Sequence, residues 1–199
     1  MSAGGIRDAE ATRRHVLSAA REVLTEKGAA LTIQEGADRA GVSKSGLLHH
    51  FATKNLLLTA VVEFYLDEIF DAVTQLRKDR SPGSFTRAYV RALCGEDPVV
   101  RNLFVTFDDI ADPLSAVAGV DELYRSDTER WNRCFLDDGL HPDQLLLVRY
   151  AAEGIAMAAS SDELMESGAL ERAHLILSRL ANSPMEPKDL WADGGRSGA

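Results

Sequence analysis

The chain has 199 residues, 45% of them apolar, and a formal net charge of −9, which is enough length to bury a sizeable core as one or two domains. No apolar run approaches the roughly 20 residues that cross a bilayer, and the start, MSAGGIRDAEATRR, has no apolar export core, so a cytoplasmic protein without a membrane contact is expected. Two isolated cysteines, Cys94 and Cys134, exclude a disulfide scaffold and lack metal-ligand spacing.

In chain order, residues 1–8 are small and polar and are expected to be loose. A helix is predicted from Glu10 to Lys27, with Val16, Leu17, Ala20, Val23 and Leu24 on one stripe. Arg13, Arg14 and Arg21 lie largely off that stripe, either as a solvated face or, for Arg13 or Arg14, as phosphate contacts. Gly28 ends the helix.

Residues 32–54, TIQEGADRAGVSKSGLLHHFATK, read as two short helices around a tight turn, then the start of another helix. Thr32 can cap the first helix, with Glu35 completing a capping box. Ile33, Ala37 and Ala40 share its inner face, and Gly41 breaks it. Ser43 caps the second helix, KSGLLHHF. This spacing is that of a helix-turn-helix, whose second helix enters the DNA major groove.

The fourth helix is predicted from Thr53 to Lys78, with Leu57, Ala60, Val61, Phe64, Ile69, Val73 and Leu76 inward. SPGS at 81–84 breaks the chain. A short helix over 84–93 carries Phe85, Ala88, Tyr89 and Ala92, and the next, opened by Asp97-Pro98, runs to Ala111. Asp112-Pro113 opens a further helix, kinked at Gly119, to Asp138. DDGLHPDQ is a loop ending in a fresh helix start at Pro142. That helix is rich in Ala and Gly between 151 and 159. A last amphipathic helix spans 170–181, and 183–199 is expected to be loose. The fold class is all-α, with about nine helices.

AGVSKSGLLHHF, followed by Thr53-Lys54 and a long apolar helix, resembles the N-terminal domain of TetR-family transcriptional repressors, over residues 10–65. Leu48 stands where the family usually has an aromatic, and Gly36 where it has a bulky apolar residue, which implies a weaker core in the first motif helix. The resemblance implies a helix-turn-helix DNA-binding domain over 1–54 and a ligand-binding and dimerisation domain over 55–199. It implies contacts to double-stranded operator DNA from Thr32, Ser43, Lys44, Ser45, Gly46, Leu48, His49, His50, Thr53 and Lys54. It also implies repression released by a small-molecule effector, and a homodimer through the last two helices.

The residues themselves support part of this. Residues 1–54 hold 8 Lys+Arg against 6 Asp+Glu, whereas 55–199 hold 14 against 25. Such a head can meet phosphates while the acidic body stays off them. Lys44 in the first turn of a helix opposes the dipole, so a phosphate is a sensible partner. Gly46 costs helix stability and suits either a close backbone approach or loose selection. Adjacent His49 and His50 point to different faces and make a poor metal pair. Thr53-Lys54 opens a helix, a ready phosphate site, or is a plain cap beside a solvated lysine.

In the body, Phe64, Phe85, Tyr89, Phe104, Phe107, Tyr124 and Trp131 fall on inward stripes. They form a solid core or the wall of an effector pocket, with Asp108 and Asp127 beside them. A ligand-independent regulator or activator with a solid core is the competing function. The small residues after 150 suit close helix packing, within the chain or across a dimer. No nucleophile elbow, phosphate loop or HExxH is present. His141 and Asp143 read as turn residues, and Glu153 and the acids of 162–166 as surface charges or caps. No enzymatic function, cofactor or metal is expected.

Overall fold

The computed structural model describes residues 3–95, 98–161, 168–182 and 184, with side chains at all of these except 3–9, 98, 108–110, 112, 113 and 161. Among the described residues the chain is all-α. Its nine helices are α1 Ala3–Lys27, α2 Ile33–Arg39, α3 Lys44–His50, α4 Lys54–Gln75, α5 Ser84–Cys94, α6 Pro98–Ser115, α7 Val120–Leu136, α8 Pro142–Ser161 and α9 Ala169–Leu180. A single 3-10 turn, Gly28–Ala30, joins α1 to the Leu31-Thr32 lead into α2.

Apart from α4, which ends at Gln75 rather than Lys78, two boundaries differ from the sequence reading. First, α1 starts at Ala3, so residues 3–8 are helical rather than loose. Second, α6 does not stop before Asp112-Pro113 but runs on to Ser115. A proline in a last turn forfeits one backbone bond, and the fully buried Leu114 beside it holds that turn down. The break falls instead at Gly119, whose φ of +90° is open to glycine and strained for other residues. The acids of 162–166 and the tail beyond 184 lie outside the described residues.

The chain divides into two compact units. One comprises Met1–Glu68 with Thr106–Asp127, the other Ile69–Val105 with Thr128–Ala199. In the first, α2 packs on α1 and α3 on α2. The predicted stripe of α1 is buried in full, and Leu31, Ala37, Leu47, Leu57 and Val61 of the same unit have no exposed surface. Each such leucine or valine contributes about 1.5–3 kcal/mol on leaving water. On α4 the structure buries Tyr65 (2% exposed), while Phe64 is only half-buried. Tyr65 meets Phe107 at a tilt of 43° with ring centroids 5.4 Å apart and lies under the Arg21 guanidinium at 5.3 Å. Arg21 is thus not solvated, since it also pairs with Glu68.

In the second unit α5 is the central element, buried on nearly every side, with α8 and α9 packed on it and on each other. Its start is held by Asp138, from the segment read as a loop. The Asp138 carboxylate accepts from Phe85 N, Thr86 N and Thr86 Oγ1, each at 2.8 Å, with the Arg77 guanidinium 3.7 Å away. A carboxylate set on the free N–H groups of a helix start is favoured by both hydrogen bonding and the helix dipole. The small residues Ala152 and Ala156 of α8 face inward, so they serve packing within the chain.

Candidate nucleic-acid interface

The roll of α3 is fixed by what it buries. Leu47 is fully buried and Phe51, which caps the helix, is 3% exposed. With 3.6 residues per turn, this turns Lys44, Ser45, Leu48 and His49 outward, and all four are exposed. His50 is half-buried, its ring 6.4 Å from that of Phe51. The adjacent histidines therefore do point to different faces. Among the described residues, no group of His, Cys, Asp and Glu could hold a metal ion.

Both short helices are capped as their sequences dictate. Thr32 Oγ1 accepts from Glu35 N at 3.2 Å, while the Glu35 carboxylate accepts from Thr32 N at 2.9 Å and from Lys27. The bonds from Lys27 and Thr32 hold the Glu35 carboxyl well below its ordinary range, at about 2. Gly41, with φ of +64°, turns the chain out of α2. Ser43 Oγ accepts from Gly46 N at 3.0 Å. A methyl group on Gly46 would stand 3.1 Å from that oxygen. Clearance for the Ser43 cap is thus a local reason for a glycine that the sequence left with two others.

Thr53 and Lys54 open α4. Thr53 Oγ1 accepts from Leu56 N at 3.2 Å, and Lys54 Nζ donates to Ala29 O at 2.7 Å. Lys54 is half-buried and ties α4 to the 3-10 turn. An ammonium carries three donors, so this bond leaves two. Arg13 lies 4.8 Å over the Phe51 ring, and Arg14 is exposed.

Gly36 does not leave the expected weak point. It is buried, and an added methyl would meet Leu47, Leu57 and Ala20 at 3.6–3.9 Å, ordinary contact distances. The neighbours have closed over the missing side chain. Gly36→Ala is therefore expected to stabilise the chain by about 1 kcal/mol, the helix propensity difference. A thermal melt would show a rise of about 2–4 °C; a fall would mean that the site has no room.

The nine residues of the aromatic and acidic set belong to different units. Phe64, Phe107, Asp108, Tyr124 and Asp127 are in the first; Phe85, Tyr89, Phe104 and Trp131 are in the second. In the first, Phe107 meets Tyr124 edge-on at 5.9 Å. Tyr124 donates to Ala111 O at 3.0 Å, and burial raises its hydroxyl to about 12. Asp127 is half-buried and engaged, and the Asp108 side chain lies outside the description. In the second, Tyr89 meets Phe104 at 5.8 Å, Trp131 at 5.5 Å and Phe135 at 5.1 Å, while Phe85 meets Trp131 at 5.8 Å.

Glu153 is not a surface charge. It accepts from the Tyr89 hydroxyl at 2.8 Å and from Arg149 Nε at 2.9 Å. Burial first, and then the Glu153 carboxylate, push the Tyr89 hydroxyl far above its ordinary range. Arg149 also lies 4.8 Å over the Phe135 ring. The i, i+4 spacing of Arg149 and Glu153 was the signal in the sequence; that Tyr89 joins them needed the fold.

Comparison with known proteins settles the family. Residues 16–61 match the family model described as bacterial regulatory proteins, tetR family, and residues 83–182 match the tetracyclin repressor-like C-terminal domain. The chain belongs to the TetR family of transcriptional regulators. As a TetR-family regulator it carries a DNA-binding domain and is not an enzyme. The chain is 40% identical over 82 residues to the HTH-type transcriptional activator FasR of Mycolicibacterium smegmatis, a match that covers 40% of this chain and 37% of FasR. A TetR-family regulator from Rhodococcus sp. has the same fold, with a TM-score of 0.66 at 17% identity over 88% of this chain and all of that one. So does the multidrug binding protein EbrR, solved with ethidium, with a TM-score of 0.54 at 22% identity over 85% of this chain and 98% of that one. No described helix is long and apolar enough to cross a membrane.

Proposed function

We propose that this TetR-family regulator is a homodimeric repressor that a small molecule releases from operator DNA. In this reading residues 1–54 form the DNA head and 55–199 the effector-binding and dimerising body. The observation that carries it is the capped helix α3, which turns Lys44, Ser45, Leu48 and His49 to solvent on a buried Leu47 footing. Those side chains read base edges, and Thr32, Ser43, Thr53 and Lys54 meet phosphates. Two heads then address half-sites in successive major grooves, about 34–36 Å apart.

The effector is assigned to the aromatic cluster of Phe85, Tyr89, Phe104 and Trp131, with Tyr89, Glu153 and Arg149 as its polar edge. The same fold in EbrR takes ethidium, which supports an effector of similar aromatic character. Release is a population shift: an effector that prefers the form with misplaced heads weakens DNA binding by its differential affinity. The long helix α4, which leads out of the head, is the transmitting element.

One experiment tests the head. Lys54→Ala is expected to weaken binding to every duplex alike and to lower the salt slope by about one. Lys44→Ala and His49→Ala should instead change which operator is selected from a random pool. Unaltered selection removes those two from base reading, and an unaltered slope reduces Lys54 to the Ala29 tether.

The similarity to an activator favours a second reading, activation of the target promoter, with the aromatic cluster a solid core. A promoter–reporter assay separates the two. Repression predicts higher expression when the protein is removed and when effector is added; activation predicts a fall on removal.

A further inference from the structure

The second unit holds a partly open cavity of about 350 Å³ that neither the head nor the aromatic cluster uses. Leu76 and Ala88 supply apolar wall, Lys78 and Arg91 cationic wall, and His174 and Ser178 of α9 the polar side facing them. Its charge is out of keeping with the body. Residues 77–91 hold five Lys and Arg and one acid, whereas 55–199 as a whole hold 14 against 25.

The cations divide into two sorts. The Arg87 guanidinium is committed: it donates to Pro82 O at 3.0 Å, to Ser81 Oγ at 2.8 Å and to Ala181 O, with Asp79 at 3.6 Å. Arg77 is likewise held by Ser84 Oγ at 2.7 Å. Lys78 and Arg91 are different. Among the described residues neither side chain has a hydrogen bond or an ion pair. Among the described residues the single acid lining the cavity, Asp79, is taken by Ser81 and Arg87. Two cations with no partner among the described residues thus face one cavity floored by apolar carbon.

We propose that this cavity binds a small organic anion, a carboxylate or phosphate monoester with a short apolar body. Its charged end lies between Lys78 and Arg91, and its carbon chain lies against Leu76 and Ala88. The planar guanidinium suits both anions as a two-pronged donor, and the ammonium adds a point charge. The volume falls within the range of small-molecule sites. A duplex backbone would need no such recess. The proposal stands apart from an effector at the aromatic cluster, because Leu76, Lys78, Ala88 and Arg91 lie outside that cluster.

The test is calorimetric titration of the full chain with hexanoate, hexyl phosphate, inorganic phosphate and the neutral hexanol. At least one of the two amphiphilic anions is expected to bind, and hexanol not to. Lys78→Gln and Arg91→Gln should each weaken that binding about tenfold, the loss of one charge-assisted contact. Both side chains are exposed, so parental melting temperatures will show that the variants fold. Preference for hexanoate or for hexyl phosphate names the headgroup. The proposal is overturned if neither amphiphile binds up to about 10 mM, if hexanol binds as well, or if both variants bind like the parent. It also fails if inorganic phosphate alone binds, as an adventitious ion only, or if the variants lose duplex DNA and no small anion.

Discussion

Asp138→Ala is expected to destabilise the chain by about 3 kcal/mol, because two backbone donors and a hydroxyl lose their acceptor inside the protein. The Asp138 side chain has no exposed surface, and its three bonds at 2.8 Å fix the first turn of α5. α5 is the helix on which α8 and α9 pack, so the loss reaches the core of that unit. Against a typical stability of about 5–15 kcal/mol, this is a large fraction. The melting temperature should fall by about 6–12 °C. Asp138→Asn keeps one carbonyl oxygen and should lose less. A melt of Asp138→Ala within a degree of the parent would show that water replaces the carboxylate at no cost.

Leu147→Glu together with Met157→Glu is expected to turn the proposed homodimer into monomers and to weaken operator binding by a factor of about 10² or more. The second figure follows from the loss of two-headed binding, in which the second head acts at high effective concentration. On α8 the inward positions are Val148, Ala152 and Ala156, while Leu147 is 60% and Met157 67% exposed. Tyr150 on α8, with Leu175 and Ile176 on α9, is also more than half exposed. A band of large apolar side chains on two adjoining helices marks a protein contact. Gly154 lies on the same helix with nothing within 4 Å of an added methyl, which allows a second copy to approach closely. Light scattering checks the mass and a gel shift the affinity. If the double variant stays dimeric, this face is not the interface.

The head was largely legible from its residues. A capping box, a positive-φ glycine and a second serine cap are local devices, decided by groups three or four residues apart. The chain order of TIQEGADRAGVSKSG therefore sufficed to place α2, the turn and α3. The outward set of α3 followed from one buried anchor, Leu47, and the helical repeat. Gly36 was misjudged because its neighbours, Ala20 and Leu57, come from α1 and α4. Whether a missing side chain leaves a hole depends on how far distant elements close over it.

The body was less legible for the same reason. Its helices were found, yet the end of α6 was set by the burial of Leu114 and the φ of Gly119 rather than by Asp112-Pro113. The choice of Tyr65 over Phe64 depended on Phe107 across the unit. Asp138 and Glu153, read as a loop and a surface acid, found Thr86 and Tyr89, 52 and 64 residues away, partners that no periodicity announces. By itself, then, the sequence determined the helices, the helix-turn-helix and the exposed face of its second helix, because caps, breaks and amphipathic repeats are properties of neighbouring residues. The tertiary structure alone decided which polar groups pair in the interior and, among the described residues, which cations have no partner. Burial makes an unmatched polar group costly, and the matching partner is chosen by packing rather than by position in the chain.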